Sequence, residues 1–217
     1  MVPGGRQCLH CAAHPETHPG EPAALLLTAF ACALKVARGR NLEAIWRIEH
    51  CGQGCGSCDF RPMRIALYQP DIPQNTGTIL RLAACLGIAV DIIGPAGFDM
   101  SDRSLRRAGL DYLDHVDLTR HESFDSFVAA RAATASGVGR LVLLTSHATM
   151  LHCDFAFDGT DTLLMGRESA GVPDAVHAAA DSRVRIPMRP GLRSLNIAVA
   201  AALVAGEAMR QTGLYPR

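Results

Sequence analysis

The pattern of hydrophobic and polar positions divides the chain into two segments of different character. Residues 1–62 contain clusters of Pro, Gly, His and Cys around one apolar run, residues 23–37, and most of this segment shows no helical or strand period. From Arg64 onward, short apolar runs alternate with helical patterns. The sequence therefore predicts an irregular N-terminal extension over residues 1–62 and one globular domain over residues 63–217.

The apolar runs of the second segment have the length and composition of buried strands. In chain order they are residues 65–68, 88–93, 141–144, 163–165 and 184–186. A helical spacing instead connects Ile79, Leu82, Ala83 and Leu86. Because strands that alternate with helices form parallel sheets, we predict an α/β fold with a mostly parallel sheet flanked by helices. The alanine-rich stretch Leu195 to Arg210, followed by Gly213, predicts a packed C-terminal helix.

The charge composition indicates no strong nucleic-acid binder. Lys+Arg and Asp+Glu both number 21, so the formal net charge is zero and any RNA site must be a local patch. All cations except Lys35 are arginines, whose planar guanidinium suits phosphate, although a GC-rich genome explains the same bias. The arginines cluster at Arg103, Arg106, Arg107, Arg183, Arg185, Arg189 and Arg193.

The eight cysteines are unevenly distributed along the chain. Those before Met63 are Cys8, Cys11, Cys32, Cys51, Cys55 and Cys58. The pairs Cys8/Cys11 and Cys55/Cys58 have the spacing of zinc ligands, but the stretch between them is longer than in zinc ribbons. We favour the interpretation that residues 1–62 are disordered, or are translated from a misassigned start codon with Met63 as the true initiator, because a predicted strand begins at Arg64. Cys85 and Cys153 lie in apolar surroundings, so we expect reduced core thiols.

The apolar run at residues 23–37 is too short to predict a membrane span. The leader before it is long and carries Glu21, which argues against a signal peptide. We therefore expect no association with a membrane.

A first motif that can carry chemistry follows the first strand, where residues 67–81 read LYQPDIPQNTGTILR. Its two prolines predict an extended loop, and Asn75 or Thr76 is predicted to cap the following helix. A helix start that faces a loop can hold phosphate or ribose. Arg81 lies beside the buried stripe of this helix and should project from the helix margin. The alternative interpretation is that Arg81 is an ordinary solvated surface charge.

A second motif follows a later strand, where residues 163–173 read LLMGRESAGVP. The two glycines, Gly166 and Gly171, permit close approach of the backbone to a ligand and unusual dihedral angles. The alternative is an ordinary tight turn before a helix that begins near Asp174. The glycine spacing is not that of a dinucleotide-binding fingerprint.

A third motif follows the last strand, where residues 185–196 read RIPMRPGLRSLN. The prolines and Gly191 constrain this loop, and Ser194 is predicted to be the N-cap of the terminal helix. Two such loops after adjacent strands can clamp a flat ligand between backbone groups.

Taken together and in this order, the three motifs resemble the signature motifs of SPOUT-class RNA methyltransferases, and in particular the small TrmL type. The matching residues are Asn75-Thr76-Gly77 with Arg81, Gly166-x-Glu168-x-x-Gly171, and Ile186-Pro187-Met188 with Ser194-Leu195-Asn196, with further agreement at residues 105–112 and 119–121. The similarity covers about residues 63–213. Relatives carry an aromatic residue before the helix glutamate, whereas Gly206 precedes Glu207 here, and this departure could alter the dimer interface or the placement of tRNA.

The resemblance implies a C-terminal trefoil knot, a homodimer, and S-adenosyl-L-methionine as a methyl donor bound in the knot without a metal. It implies donor contacts from Leu144, Gly166, Ile186, Met188, Ser194 and Leu195. It implies that Asn75, Glu168, Gly171 and Asn196 hold the loops. Arg81 matches the catalytic arginine, and we assign it an electrostatic and orienting role because a guanidinium stays protonated and is a poor base. Candidate RNA contacts are Arg103, Arg106, Arg107 and Arg193.

The resemblance also implies a function. We expect a cytoplasmic tRNA 2′-O-methyltransferase that acts on the wobble nucleotide, a cytidine or modified uridine, of leucine tRNAs. Its contacts would be with the anticodon stem-loop, whose unpaired bases proteins can read. Two alternatives stay open: an RNA-binding SPOUT relative without catalysis, and a 2′-O-methyltransferase for another tRNA or rRNA position.

Overall fold

The computed structural model describes residues 63–99, 113–133 and 139–216. Within these residues six strands form one sheet. They are β1 (Arg64–Tyr68), β2 (Ala89–Ile93), β3 (Leu118–His121), β4 (Leu141–Leu144), β5 (Thr162–Met165) and β6 (Ser182–Val184). The strand order is β3-β2-β1-β5-β4-β6, and every neighbouring pair is parallel. The prediction of a mostly parallel α/β sheet is confirmed.

Four α-helices and one short 3-10 helix (Leu113–His115) accompany the sheet in the described part of the chain. The α-helices are α1 (Pro73–Leu86), α2 (Phe124–Ala132), α3 (Asp174–Ala179) and α4 (Ile197–Thr212). Helix α3 begins at the predicted residue. No helix in the described ranges combines the length and the apolar character needed to cross a membrane.

Helix α1 begins earlier than predicted. Ile72 is its N-cap and makes no side-chain capping hydrogen bond, and Pro73 occupies the first helical turn. Proline suits this place because its φ is already helical and it has no N–H to satisfy. Thr76 lies inside the helix, and its hydroxyl donates to the carbonyl of Ile72 at 3.2 Å. The prediction that Asn75 or Thr76 caps α1 is therefore wrong.

The N-cap of helix α4 differs from the predicted residue, whereas its C-cap is the predicted one. Asn196 is the N-cap, and its Oδ1 accepts hydrogen bonds from the backbone of Ala198 at 2.8 Å and Val199 at 3.4 Å. Ser194, the predicted cap, lies two residues earlier in an exposed loop. An asparagine adjacent to the first turn satisfies the free N–H groups as well as serine would. Gly213 ends the helix with φ 73°, as predicted.

The two faces of the sheet carry different helices, and β1 shows the division. Ile65 and Leu67 belong to a core that includes residues of α1 and α4. Ala66 and Tyr68 belong to a second core, formed with Phe127 of α2 and Val176 of α3. This alternation follows from the two-residue period of a strand. Helices on both faces leave the carboxyl ends of the strands as the place for a site.

A buried polar cluster lies on the α2 face of the sheet, and we define it as Arg64, Asp91 and His121. Nε of Arg64 donates to Oδ2 of Asp91 at 2.6 Å, and one Nη donates to Oδ1 at 3.1 Å. The Nε2 atom of His121 lies 2.9 Å from the same Oδ1. The His121 ring stands edge-on to Phe127 of α2, with the ring centroids 5.2 Å apart. The cluster therefore joins three strands and a helix.

The segment between β4 and β5 holds the chain on either side of α4. Before this helix, Arg185 donates its backbone N–H to Met150 and accepts from His152, both at 2.9 Å. Near its end, the side chain of Gln211 donates to the carbonyl of Phe155 at 3.0 Å and accepts from the N–H of Phe157 at 2.9 Å. This arrangement ties the C-terminal stretch to the β4–β5 connection. The trefoil knot itself stays a prediction.

Both described cysteines, Cys85 and Cys153, are free and exposed. The prediction that they are core thiols is therefore wrong. Cys85 follows the last buried residue of α1, Ala83, by two positions, which turns it away from the core side of the helix. The predictions for residues 1–62, including the zinc pairs and the start codon, lie outside the described residues.

Candidate functional site

Three of the residues predicted to bind the donor lie at the carboxyl ends of neighbouring strands. Leu144 is the last residue of β4 and is in register with Met165 of β5 and Val184 of β6. Gly166 directly follows β5, and Ile186 lies two residues beyond β6. Ligands of open α/β sheets bind outside the carboxyl ends of the strands. The sheet thus brings Leu144, Gly166 and Ile186 to one edge, and their contact with a donor stays a prediction.

The loop between β6 and α4 presents backbone and apolar side chains to solvent. Leu192 is 67% exposed and Leu195 is 40% exposed, while Met188 is half-buried. Gly191 has φ 85°, a conformation that favours glycine. The loop therefore exposes backbone and apolar side chains beyond the carboxyl end of β6, and its contact with a ligand stays a prediction.

The loop after β5 closes on itself through its two glycines. Arg167 and Gly171 exchange a pair of backbone hydrogen bonds, each 2.9 Å long. A Cβ on Gly166 would come within 2.8 Å of the carbonyl carbon of Gly171, and Gly171 has φ 67°. The close backbone approach predicted for these glycines is thus made by the loop itself. Residues 168–170 form its tip.

The three predicted loops are joined by a chain of side-chain hydrogen bonds. Oε1 of Glu168 accepts from Nδ2 of Asn75 at 3.4 Å, and Oε2 accepts from the backbone N–H of Asp71 at 2.9 Å. Oδ1 of Asn75 in turn accepts from Nδ2 of Asn196 at 2.9 Å. Because Asn196 also caps α4, one network connects the start of α1, the tip of the β5 loop and the start of α4.

The predicted cations occupy different parts of the structure. Arg81 is on the exposed side of α1, outside the stripe of buried residues, as predicted. Arg193 is exposed in the loop before α4. The other candidate RNA contacts, Arg103, Arg106 and Arg107, lie outside the described residues. The two described arginines therefore stand on segments that the Asn75, Glu168 and Asn196 network joins.

A cluster that the sequence motifs did not predict lies beside this network. The carboxylate of Asp71 accepts hydrogen bonds from the guanidinium of Arg167, the closest at 2.6 Å, and from the hydroxyl of Ser169. The bonds from Arg167 and then from Ser169 lower the pKa of Asp71 to about 2. Residues 71 and 167 are 96 positions apart, and no local pattern connects them. The only signal was that Arg167 and Ser169 flank a motif glutamate.

The described residues contain no group of three or more His, Cys, Asp and Glu side chains placed to hold a metal ion. The polar groups at the carboxyl edge are instead amides, guanidinium groups, carboxylates and loop backbone. Such groups can bind and orient an organic ligand.

Comparisons with known proteins agree with one another. The model of the SpoU rRNA methylase family matches residues 62–206. A tRNA (cytidine(34)-2'-O)-methyltransferase of Beijerinckia indica is 63% identical over 149 residues, which are 69% of this chain and 91% of the relative.

Two solved structures extend the likeness to three dimensions. One is described as "Structural insights into the 2-OH methylation of C/U34 on tRNA". It has a TM-score of 0.63 and 42% identity, over 70% of this chain and 97% of that one. The other is the SpoU methyltransferase AviRb of Streptomyces viridochromogenes in complex with the cofactor AdoMet. It has a TM-score of 0.62 and 31% identity, over 72% of this chain and 64% of that one.

Proposed function

Because the chain belongs to the SpoU methylase family, we propose that it transfers the methyl group of S-adenosylmethionine to the ribose 2′-hydroxyl of tRNA nucleotide 34. The main structural support is the position of Leu144, Gly166 and Ile186 at one edge of the sheet. The relative that is 63% identical is named for this reaction, and the chain covers 91% of its length. Following the resemblance, we propose leucine tRNAs in the cytoplasm as the substrates.

The donor would be held mainly by backbone. The ends of β4, β5 and β6 and the loop that contains Met188, Ser194 and Leu195 offer N–H and carbonyl groups beside exposed apolar side chains. When bound, S-adenosylmethionine supplies a methyl carbon that its sulfonium makes electrophilic, so no metal is needed. The protein must then orient the ribose hydroxyl, exclude water and assist the loss of a proton.

Arg81 is proposed to act on the ribose hydroxyl through its charge. A guanidinium stays protonated, so it stabilises a developing oxyanion and orients it without serving as the base. Arg81 stands two turns after Asn75 on α1, and Asn75 contacts both Glu168 and Asn196. The same helix therefore presents the cation and anchors the loop network.

The proposed RNA partner is the anticodon stem-loop, which contains the wobble nucleotide. Arg193 is exposed directly before Ser194, so a phosphate bound by Arg193 would lie beside the loop that holds the donor. Arg103, Arg106 and Arg107 stay candidate RNA contacts by resemblance.

We further propose that a second copy of the chain covers the exposed face of α4. Leu195, which precedes the N-cap, and Val199 and Leu203 of the helix recur every four residues and are 40%, 50% and 45% exposed, a stripe of the kind that marks an interface. Tyr215 lies beside it, and its hydroxyl donates to the carbonyl of Gly206 at 3.0 Å. Relatives carry an aromatic residue at the helix position of Gly206. In this chain the aromatic ring beside that position belongs instead to Tyr215 of the C-terminal tail.

The experiment that tests the function uses unmodified leucine tRNA from a strain that lacks this enzyme. The purified protein with S-adenosylmethionine should methylate the 2′-oxygen of nucleotide 34, as mapped by mass spectrometry. Arg81→Ala should lower the rate about 10²- to 10³-fold, the usual effect of losing a group that stabilises an oxyanion, with donor affinity unchanged.

Arg210→Ala is the matched control, because Arg210 is an exposed arginine paired with Glu207 on α4. It should keep the wild-type rate. Methylation of another nucleotide would favour the alternative substrate, and failure to bind S-adenosylmethionine would favour an RNA-binding protein without catalysis.

A further inference from the structure

We infer that Asp71, Arg167 and Ser169 form a clamp that positions the donor-binding loop after β5 for methyl transfer. These residues are not among those that the family resemblance assigns to the site. The inference rests on the proposed function, because it assigns the loop a methyl donor.

Three consecutive residues of the loop, 167–169, all bind Asp71. Arg167 donates to Oδ1 of Asp71 from Nη2 at 2.6 Å and from Nε at 3.2 Å. Ser169 donates to Oδ2 from its hydroxyl and from its backbone N–H at 3.3 Å. Between them, Glu168 accepts from the N–H of Asp71 at 2.9 Å. A single residue of the β1–α1 loop therefore fixes the tip on both of its sides.

The clamp acts on the backbone that the donor is expected to touch. Arg167 directly follows Gly166, a predicted donor contact, and its backbone is paired with Gly171 at the base of the loop. With the base closed by that pair and the tip bound to Asp71, the loop has little freedom to rotate about β5. Loss of the clamp would leave Glu168 bound to Asn75 and to the backbone N–H of Asp71, and would free the side chains of Arg167 and Ser169 on either side of it.

The turn that presents Asp71 is strained. Gln69 has φ 44°, a left-handed conformation that residues other than glycine seldom adopt. Its side chain accepts from Nη1 of Arg167 and donates to the carbonyl of Gly94, both at 3.4 Å. Backbone strain of this kind is retained where the surrounding structure over-determines it, and it clusters at functional sites.

The exposure of the pair favours a positioning role over a stabilising one. The Arg167 side chain is 37% exposed and that of Asp71 is 18% exposed. Ion pairs that water reaches contribute little to the stability of a fold. The geometry that this pair imposes is local, and it lies at the edge where the donor-binding residues meet.

The test measures S-adenosylmethionine binding by calorimetry and methyl transfer by steady-state kinetics. Asp71→Asn and Arg167→Gln should each raise the dissociation constant about tenfold, the effect expected from losing hydrogen bonds to a charged group. The kcat at saturating donor should change less than about threefold, because the groups around the ribose hydroxyl are intact. The double variant should bind no worse than either single variant, because both remove the same contact.

Glu207→Gln is the matched control. Glu207 is 17% exposed, is paired with Arg210, and has a pKa of about 2, lowered by Arg210 and Gln211, so it resembles Asp71 in all but position. It should leave the dissociation constant of the donor unchanged. An equal rise in Glu207→Gln and Asp71→Asn would overturn the clamp, because the effect would then be general.

The outcomes for the clamp and for the proposed function are distinguishable. If the wild type binds donor and folded Asp71→Asn binds it equally well, the clamp is wrong and the function stands. If the wild type binds no S-adenosylmethionine, the proposed function fails and the clamp fails with it. If Asp71→Asn does not fold, Arg167→Gln and Ser169→Ala decide, and wild-type affinity in both would refute the clamp.

Discussion

Two clusters in this protein have the same pairing chemistry and different surroundings. In the buried polar cluster one arginine, Arg64, binds both oxygens of Asp91, and the two side chains are 10% and 6% exposed. In the clamp Arg167 binds Asp71, and the side chains are 37% and 18% exposed. A charge pair shielded from water is strongly destabilising to break, whereas an exposed pair is screened. Burial and position therefore decide whether an ion pair maintains the fold or the site.

Breaking the buried Arg64–Asp91 pair should lower the free energy of unfolding more than any other change considered below. Asp91→Ala leaves the guanidinium of Arg64 without its main partner in an apolar face, which should lower the free energy of unfolding by about 3–5 kcal/mol. Urea unfolding followed by circular dichroism measures it. Asp71→Ala serves as the comparison and should shift the midpoint far less. Equal shifts in the two variants would remove the distinction between the clusters.

Asn196 has one role in the stability of the fold and another in the hydrogen-bond network of the candidate site. Its Oδ1 caps α4, and its Nδ2 donates to Asn75. Asn196→Ala should lose both contacts, with a loss of about 1 kcal/mol in stability from the missing cap. Asn196→Asp keeps the capping oxygen and loses the donor, so the fold should keep its stability while methyl transfer falls. Thermal unfolding and transfer rate, measured in both variants, separate the two roles, and parallel losses in Asn196→Asp would contradict the separation.

A smaller change is expected in the free energy of unfolding at acidic pH. The pKa of Asp71 is about 2 in the folded chain, below its ordinary value of 3.8, because Arg167 and Ser169 bind the carboxylate. A carboxyl group whose pKa is lowered by folding contributes stability above its unfolded pKa and loses it as the pH falls through its folded pKa. The stability difference between wild type and Asp71→Asn should therefore shrink from pH 5 toward pH 2. Urea titrations across this range test it, and a difference that stays constant would contradict the assignment.

The fold could be predicted from the sequence where buried strands contain continuous apolar runs. Strands β1, β2, β4 and β5 coincide with apolar runs because parallel strands covered on both faces are mostly apolar, even though β1 and β2 contain Arg64 and Asp91 of the buried polar cluster. Strand β3 was not predicted. It lies at the edge of the sheet and its residues Thr119 and Arg120 are exposed, so it carries no apolar run. The N-caps predicted for α1 and α4 were misplaced by two to four residues, since several adjacent side chains there could serve as caps.

Members of the candidate site could be proposed from the sequence, whereas the contacts among them could not. Motif residues such as Gly166, Glu168 and Asn196 could be selected because their type and spacing match a known family. Their hydrogen bonds connect segments far apart in the chain, and no local period reports such contacts. Asp71 was passed over for the same reason, because its partner Arg167 belongs to another loop.

The position of β1 in the sheet has a consequence for synthesis of the protein. Strand β1 is made before the other five described strands, yet it lies between β2 and β5, with Arg64 opposite Thr162. Ribosomes add about 5–20 residues per second. One edge of β1 therefore stays unpaired for seconds before β5 is made. Helix α4, which completes the same core, emerges later still. The apolar edge of β1 therefore stays exposed on the nascent chain until β5 and α4 have been made.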